Sequence, residues 1–143
     1  MYQLEGKVAI VTGAGGKQGI GRSIAARLAS EGASVAVCDL KDAGTPDWAG
    51  LSAVVDEIKC KGVRSVGLIG SVSNSKDVVS LVEGTLSEFG KIDILVNNAG
   101  APAGPDRVPV VDLEEDVWDQ VLSVNLKGTF LMSQAVSRHM IQR

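Results

Sequence analysis

Apolar and polar positions along this chain follow two different periods. Unbroken apolar runs at 7–12, 34–39, 64–69 and 92–97 are rich in Val and Ile and have the length of buried strands. Between them the apolar spacing is helical. Over 19–31 the stripe is Ile20, Ile24, Ala25 and Leu28; over 76–89 it is Val78, Val79, Val82 and Leu86; a further helix is predicted over 48–61. Gly32 and Gly90 follow two of these segments, where a glycine stops a helix. An irregular stretch at 100–111 holds three of the four prolines. One long helix is then expected over 113–141, with Val117, Val121, Val124, Gly128, Leu131, Ala135 and Val136 on its inner stripe.

Strands that are apolar on both faces need cover on both faces, so this alternation predicts an α/β fold with a parallel sheet between two helical layers. Right-handed crossovers narrow it to a doubly wound, Rossmann-like sheet with strand order 3-2-1-4. Residues 1–143 are expected to form one dinucleotide-binding domain, incomplete at its C-terminus, because a fifth strand should follow the last helix. The run at 92–96 would then be a bare apolar edge. The chain is therefore expected to be part of a longer polypeptide, or to pair with another fragment.

Composition removes several classes of function. The chain is 45% hydrophobic and 22% charged, as in ordinary globular proteins. Its net charge is −3 and no basic patch stands out, which argues against a nucleic-acid partner. No apolar run reaches the roughly 20 residues that cross a bilayer, and the N-terminus lacks a signal-peptide pattern, so the expected location is the cytoplasm. Cys38 and Cys60 form no Cys-x-x-Cys pair, and with a single His no metal site is expected. The acidic group Asp112, Glu114, Glu115 and Asp116 suits the first turn of a helix, where carboxylates face the positive end of the dipole.

The chemistry concentrates after the first strand. Gly13, Gly15, Gly16, Gly19 and Gly21 fall between that strand and a helix. Such a loop is an anion site: backbone N–H groups and the helix dipole point at it, and pyrophosphate comes close only where side chains are missing. The context makes the motif specific, because a carboxylate, Asp39, ends the second strand 18 residues beyond Gly21. Asp39 can accept hydrogen bonds from the adenosine ribose, which favours NAD, and its charge disfavours the 2′-phosphate of NADP. Lys17, Arg22 and Lys41 argue weakly the other way. Trp48 stands within reach of the adenine side or packs locally.

The segment 12–21, the run 92–97 with Asn97, Asn98, Ala99 and Gly100, and the helix stretch 118–128 together resemble the short-chain dehydrogenase/reductase family. The likeness covers nearly the whole chain in register. It implies that Gly13, Gly15, Gln18, Gly19, Ile20 and Gly21 surround the cofactor phosphates, that Asp39 and Leu40 flank the adenosine ribose, and that Ser71 and Val72 lie at the adenine. It further implies that Asn97, Ala99 and Gly100 run along the cofactor, with Asn97 also tying the fourth strand to its neighbours. Asn125 matches a helix asparagine that supports a water-linked proton relay and is the one catalytic candidate; the alternative is an asparagine that bonds neighbouring backbone.

Three departures from the family pattern matter. Five residues separate Gly13 from Gly19, where the common form has three; this spacing is similar to the enoyl reductase branch, although Gly19 replaces that branch's usual Ser. Ser71 stands where the family usually has an acid on the adenine amino group, and a hydroxyl accepts that bond more weakly. The family's Ser and its Tyr-x-x-x-Lys helix are absent from these residues, and the only Tyr is Tyr2. The resemblance implies hydride transfer between a nicotinamide and a secondary alcohol or ketone, in a homo-oligomer (dimer or tetramer) when complete. A non-catalytic dinucleotide-binding module and an enoyl reductase relative are the competing readings.

Overall fold

The computed structural model describes residues 3–42 and 44–143. Four parallel strands form one sheet: β1 (Val8–Thr12), β2 (Ser34–Asp39), β3 (Ser65–Ile69) and β4 (Ile94–Val96), in the order β3-β2-β1-β4. This is the order expected from the alternation of periods. β1 is central and buried at all five positions, with Thr12 opposite Cys38 on one side and Val11 opposite Val96 on the other. Its side chains divide by face. Ala9 and Val11 join the core under α1 (Ile20–Ser30) and α2 (Leu51–Lys59). Ile10 joins the opposite core, under α3 (Ser75–Phe89) and the C-terminal helices.

The helix stripes differ from the sequence reading in an instructive way. On α1 the fully buried residues are Gly21, Ala25 and Ala29, while Ile20 is 73% exposed and Ile24 and Leu28 are half-buried. Small residues let this helix lie close to the sheet, so its inward line is drawn by size and not by hydrophobicity. On α3, Leu81 is buried with Val78 and Val82, and Val79 is turned to solvent. α3 is capped by the Asn74 carboxamide, which accepts from the N–H groups of Lys76 and Asp77 at 2.9 and 3.3 Å. α2 starts three residues later than expected and leaves Trp48 in the loop; the Asp42 carboxylate accepts from the Leu51 N–H at 2.7 Å.

The expected long helix is three pieces in line after a short turn at Val110–Asp112. They are α4 (Glu115–Leu122), a π-helical segment (Ser123–Gly128) and α5 (Thr129–Gln142). The wider segment ends on Gly128, where an added Cβ would meet Val72 Cγ2 at 2.6 Å. Only glycine permits that approach of helix to the loop after β3.

At the N-terminal edge of the sheet, Asp93 is a structural latch. Its carboxylate accepts from the Val8 N–H at 2.9 Å and pairs with Arg143 at 2.7 Å and Lys91 at 3.3 Å. Burial opposes its ionisation, yet these donors and cations outweigh burial and hold the carboxyl down at about 2.

Candidate dinucleotide-binding site

The C-terminal ends of β1, β2, β3 and β4 open onto a cleft of about 480 Å³, the position at which doubly wound sheets take their ligands. Its floor and walls are assembled by a knot of hydrogen bonds. The Thr12 hydroxyl accepts from the N–H groups of Asn98 and Ala99, both at 3.1 Å, and donates to the Val96 carbonyl at 3.3 Å. The Asn98 carboxamide donates to the Thr12 and Gly13 carbonyls, each at 2.9 Å. The knot leaves no room for side chains: a Cβ on Gly13 would meet Ala99 Cα at 2.7 Å, and one on Gly21 would meet both Asn98 Nδ2 and the Gly13 carbonyl at 2.5 Å.

The glycine loop leads into α1 through Gly19, an N-cap with extended backbone and no side-chain cap. The first N–H groups of an α-helix have no intrahelical partner, so this end presents donors and a positive dipole with nothing of its own to satisfy them. The contrast with the Asn74-capped α3 is direct. Beside it, the Asp39 carboxylate accepts from the Gly15 N–H and the Leu40 N–H, both at 2.8 Å, and lines the cleft.

Of the residues singled out from sequence, Gly13, Ile20, Asp39, Leu40, Ser71, Val72, Ala99 and Gly100 line this one cleft. The others stand off it. Gly15 is buried within the loop, against Asp39, and Gly21 is packed against Asn98. Gln18 borders a separate surface hollow against α1, and Gly19 is the helix cap. Asn97 donates to the Ser133 hydroxyl at 3.0 Å, which ties the end of β4 to α5. The Ser71 hydroxyl is hydrogen-bonded to that of Ser73 at 2.8 Å. Asn125 sits in the π-helical segment, and its Oδ1 accepts from the Ala101 N–H at 2.8 Å. Its carboxamide thus fixes the loop after β4, next to the cleft-lining Val124 and Gly100.

Sequence reading passed over Thr12 and Asn98, which carry the knot. A threonine ending a buried strand and an asparagine beside one already assigned were the available signals. It also passed over Cys38, which lines the cleft but stays a protonated thiol: burial, then the Asp39 charge, push it up to about 12.

The fit to a dinucleotide follows from these features. The cleft combines an uncapped helix end and glycine loop for a pyrophosphate, a carboxylate for ribose hydroxyls, and apolar walls at Leu40 and Val72 for a flat base. Among the described residues no group of three His, Cys, Asp or Glu converges, and no helix is long and apolar enough to cross a membrane.

Comparison with known proteins agrees with this geometry. The short chain dehydrogenase family model matches residues 7–143. The chain is 40% identical over 140 residues to the hydroxy(phenyl)methylsuccinyl-CoA dehydrogenase subunit BbsD of Thauera aromatica, covering 97% of this chain and 52% of that protein. It is 43% identical over 137 residues to the 3-oxoacyl-(acyl-carrier-protein) reductase FabG of Staphylococcus epidermidis, covering 96% of this chain and 52% of FabG. Among solved structures, the 3-ketoacyl-(acyl-carrier-protein) reductase of Brucella melitensis, complexed with NADH, superposes with a TM-score of 0.83 at 37% identity, covering 97% of this chain and 52% of that one. The chain thus spans about half the length of the relatives it matches.

Proposed function

The chain belongs to the short chain dehydrogenase family, and from that premise we propose that it is the dinucleotide-binding portion of an NAD-dependent oxidoreductase. The reaction is hydride transfer between the nicotinamide and a secondary alcohol or ketone; the bound dinucleotide supplies the hydride chemistry. This chain's residues bind and orient. The first turn of α1 and the glycine loop hold the pyrophosphate, Asp39 and Leu40 the adenosine ribose, Ser71 and Val72 the adenine, and Ala99 and Gly100 the path toward the nicotinamide. Asn125 holds the loop at Ala101 and belongs to the proton path. The Ser, Tyr and Lys that would act on the carbonyl lie outside these residues.

The observation that carries this reading is the uncapped N-terminus of α1, set beside a carboxylate that lines the cleft. A phosphate fits the first and ribose hydroxyls the second. NAD is preferred over NADP because Asp39 forms no ion pair among the described residues, and a 2′-phosphate there would meet an uncompensated negative charge. The exposed apolar residues Leu122, Leu126 and Phe130 along the C-terminal helices suit a homo-oligomer of the whole protein. The test is equilibrium titration of the full-length protein with NADH and NADPH, followed by nucleotide fluorescence. NADH is expected to bind at least about tenfold tighter. Equal binding, or tighter NADPH binding, would reject the NAD assignment, and binding of neither would reject the site.

A further inference from the structure

The extra length of the glycine loop raises a physical question. A loop this rich in glycine loses more conformational freedom on ordering than other sequences do, and a longer one has more to lose. It also carries carbonyl groups whose negative ends must face away from any bound pyrophosphate. Something has to hold the loop in one arrangement.

The geometry points to Trp48 as a positioning residue for the dinucleotide, acting through the carbonyl of Gly15; this rests on reading the cleft as a dinucleotide site. Residues 45–48 form a tight turn between β2 and α2. Thr45 N–H donates to the Trp48 carbonyl at 2.6 Å, and Trp48 N–H donates back to the Thr45 carbonyl at 3.0 Å. From this turn the Trp48 indole N–H reaches the Gly15 carbonyl at 2.8 Å. The N–H of the same glycine donates to Asp39 at 2.8 Å. The peptide units on both sides of Gly15 are therefore oriented by side chains from outside the loop.

Two further ties fasten the same turn. Asp47 pairs with Lys17 at 2.6 Å. The Arg22 guanidinium lies 4.7 Å from the centre of the Trp48 ring, pairs with Glu57 at 2.7 Å and donates to the Lys17 carbonyl. Trp48 is not among the residues that line the cleft, whereas Gly16, the next residue after the carbonyl it holds, is. The 45–48 turn thus acts as a strap on the loop: its indole holds the Gly15 carbonyl on the side away from the cleft-lining residues and leaves Gly16 at the cleft. Local packing alone would explain an aromatic ring at this place, but it does not call for a donor on that ring.

Trp48→Phe separates the two roles, because it keeps a ring under Arg22 and removes only the N–H. NADH titration of the full-length Trp48→Phe protein is expected to show about tenfold weaker binding than the native protein, with the melting temperature of the unliganded protein changed by only a few degrees. In a background where Trp118 and every other tryptophan of the full-length protein except Trp48 are replaced by Phe, NADH should change the indole emission. Binding by Trp48→Phe within about twofold of the native protein would overturn the inference, as would an indole emission that ignores NADH. Should Trp48→Phe fail to fold, Asp47→Asn loosens the same strap at an exposed position, and unchanged NADH affinity there would overturn it equally. A native protein that binds NADH while these variants bind equally well rejects the strap alone; a native protein that binds no dinucleotide rejects the site and the strap together.

Discussion

Two aspartates at opposite ends of the sheet put their carboxylates to different uses. Asp93, beside the first residue of β1, accepts one backbone N–H and is matched by two cations, Arg143 and Lys91. Asp39, at the far end of β2, accepts two backbone N–H groups and is matched by no cation among the described residues. The first is a closed system whose side chain is 7% exposed. The second lines a cleft with its charge uncompensated. A carboxylate whose partners all come from the fold holds the fold; one left short of positive charge at the edge of a cavity is available to a ligand. Variants at the two ends should therefore separate affinity from stability.

The largest effect is expected at the cleft end, where fold and site share the same atoms. Gly21→Ala drives a methyl into the Gly13 carbonyl and the Asn98 carboxamide, both 2.5 Å from the ideal Cβ position. The carbonyl is backbone, and the carboxamide is held in place by its bonds to the Thr12 and Gly13 carbonyls. The cost is about 3 kcal/mol in stability, read from a urea melt, and NADH binding is expected to vanish with it. A Gly21→Ala protein of native stability that still binds NADH would show that the knot of Thr12, Asn98 and Gly13 does not shape the site.

Asp39 gives the cleaner separation. Asp39→Ser keeps a short acceptor and removes the charge, so NADH affinity should fall by about 2 kcal/mol, roughly 30-fold. NADPH affinity should rise, because the repulsion of a 2′-phosphate is gone. The ratio of the two dissociation constants is the quantity to follow, since a general loss of structure lowers both affinities together. A ratio that does not move would remove Asp39 from cofactor selection.

This contrast also explains what was legible in the sequence. The four strands and their order followed from β-branched runs and chain connectivity, because a parallel sheet buried on both faces tolerates little else. Asp39 was legible because its distance from the glycine loop is set by one strand–helix–strand unit. Other features depend on approach distances that a string of residues does not carry. The inner face of α1 reads as Ile20, Ile24, Ala25 and Leu28 by hydrophobicity; of these only Ala25 is fully buried, alongside Gly21 and Ala29, because the helix sits too close to the sheet for anything larger. The π-helical segment ends on Gly128, where the helix comes so close to Val72, 56 residues earlier in the chain, that no side chain fits. Trp48 reads as reaching the adenine side or packing locally; its bond to the Gly15 carbonyl depends on how the segments around it pack in three dimensions. Asn98 was hidden by its neighbour: two adjacent asparagines leave a strand in different directions, one toward Ser133 and the other toward Thr12 and Gly13.

The smallest effect belongs to the other end of the sheet. Asp93→Asn keeps an oxygen to accept from the Val8 N–H and gives up the pairing with Arg143 and Lys91, whose side chains are 45% and 36% exposed. Solvent screens such partners, so the loss is expected to be about 1 kcal/mol, a shift of a few degrees in melting temperature, with NADH affinity unchanged. The pH dependence identifies the cause. The folded-state carboxyl lies at about 2, below its ordinary 3.8. A depressed carboxyl contributes stability that is fully present above its unfolded value and is lost as pH falls through the folded value. The stability difference between the native protein and Asp93→Asn should therefore stay constant above about pH 4 and shrink between 4 and 2. A difference that persists undiminished at the acid end would mean that the amide disturbs packing at the start of β1, and that the ion pairs contribute nothing there.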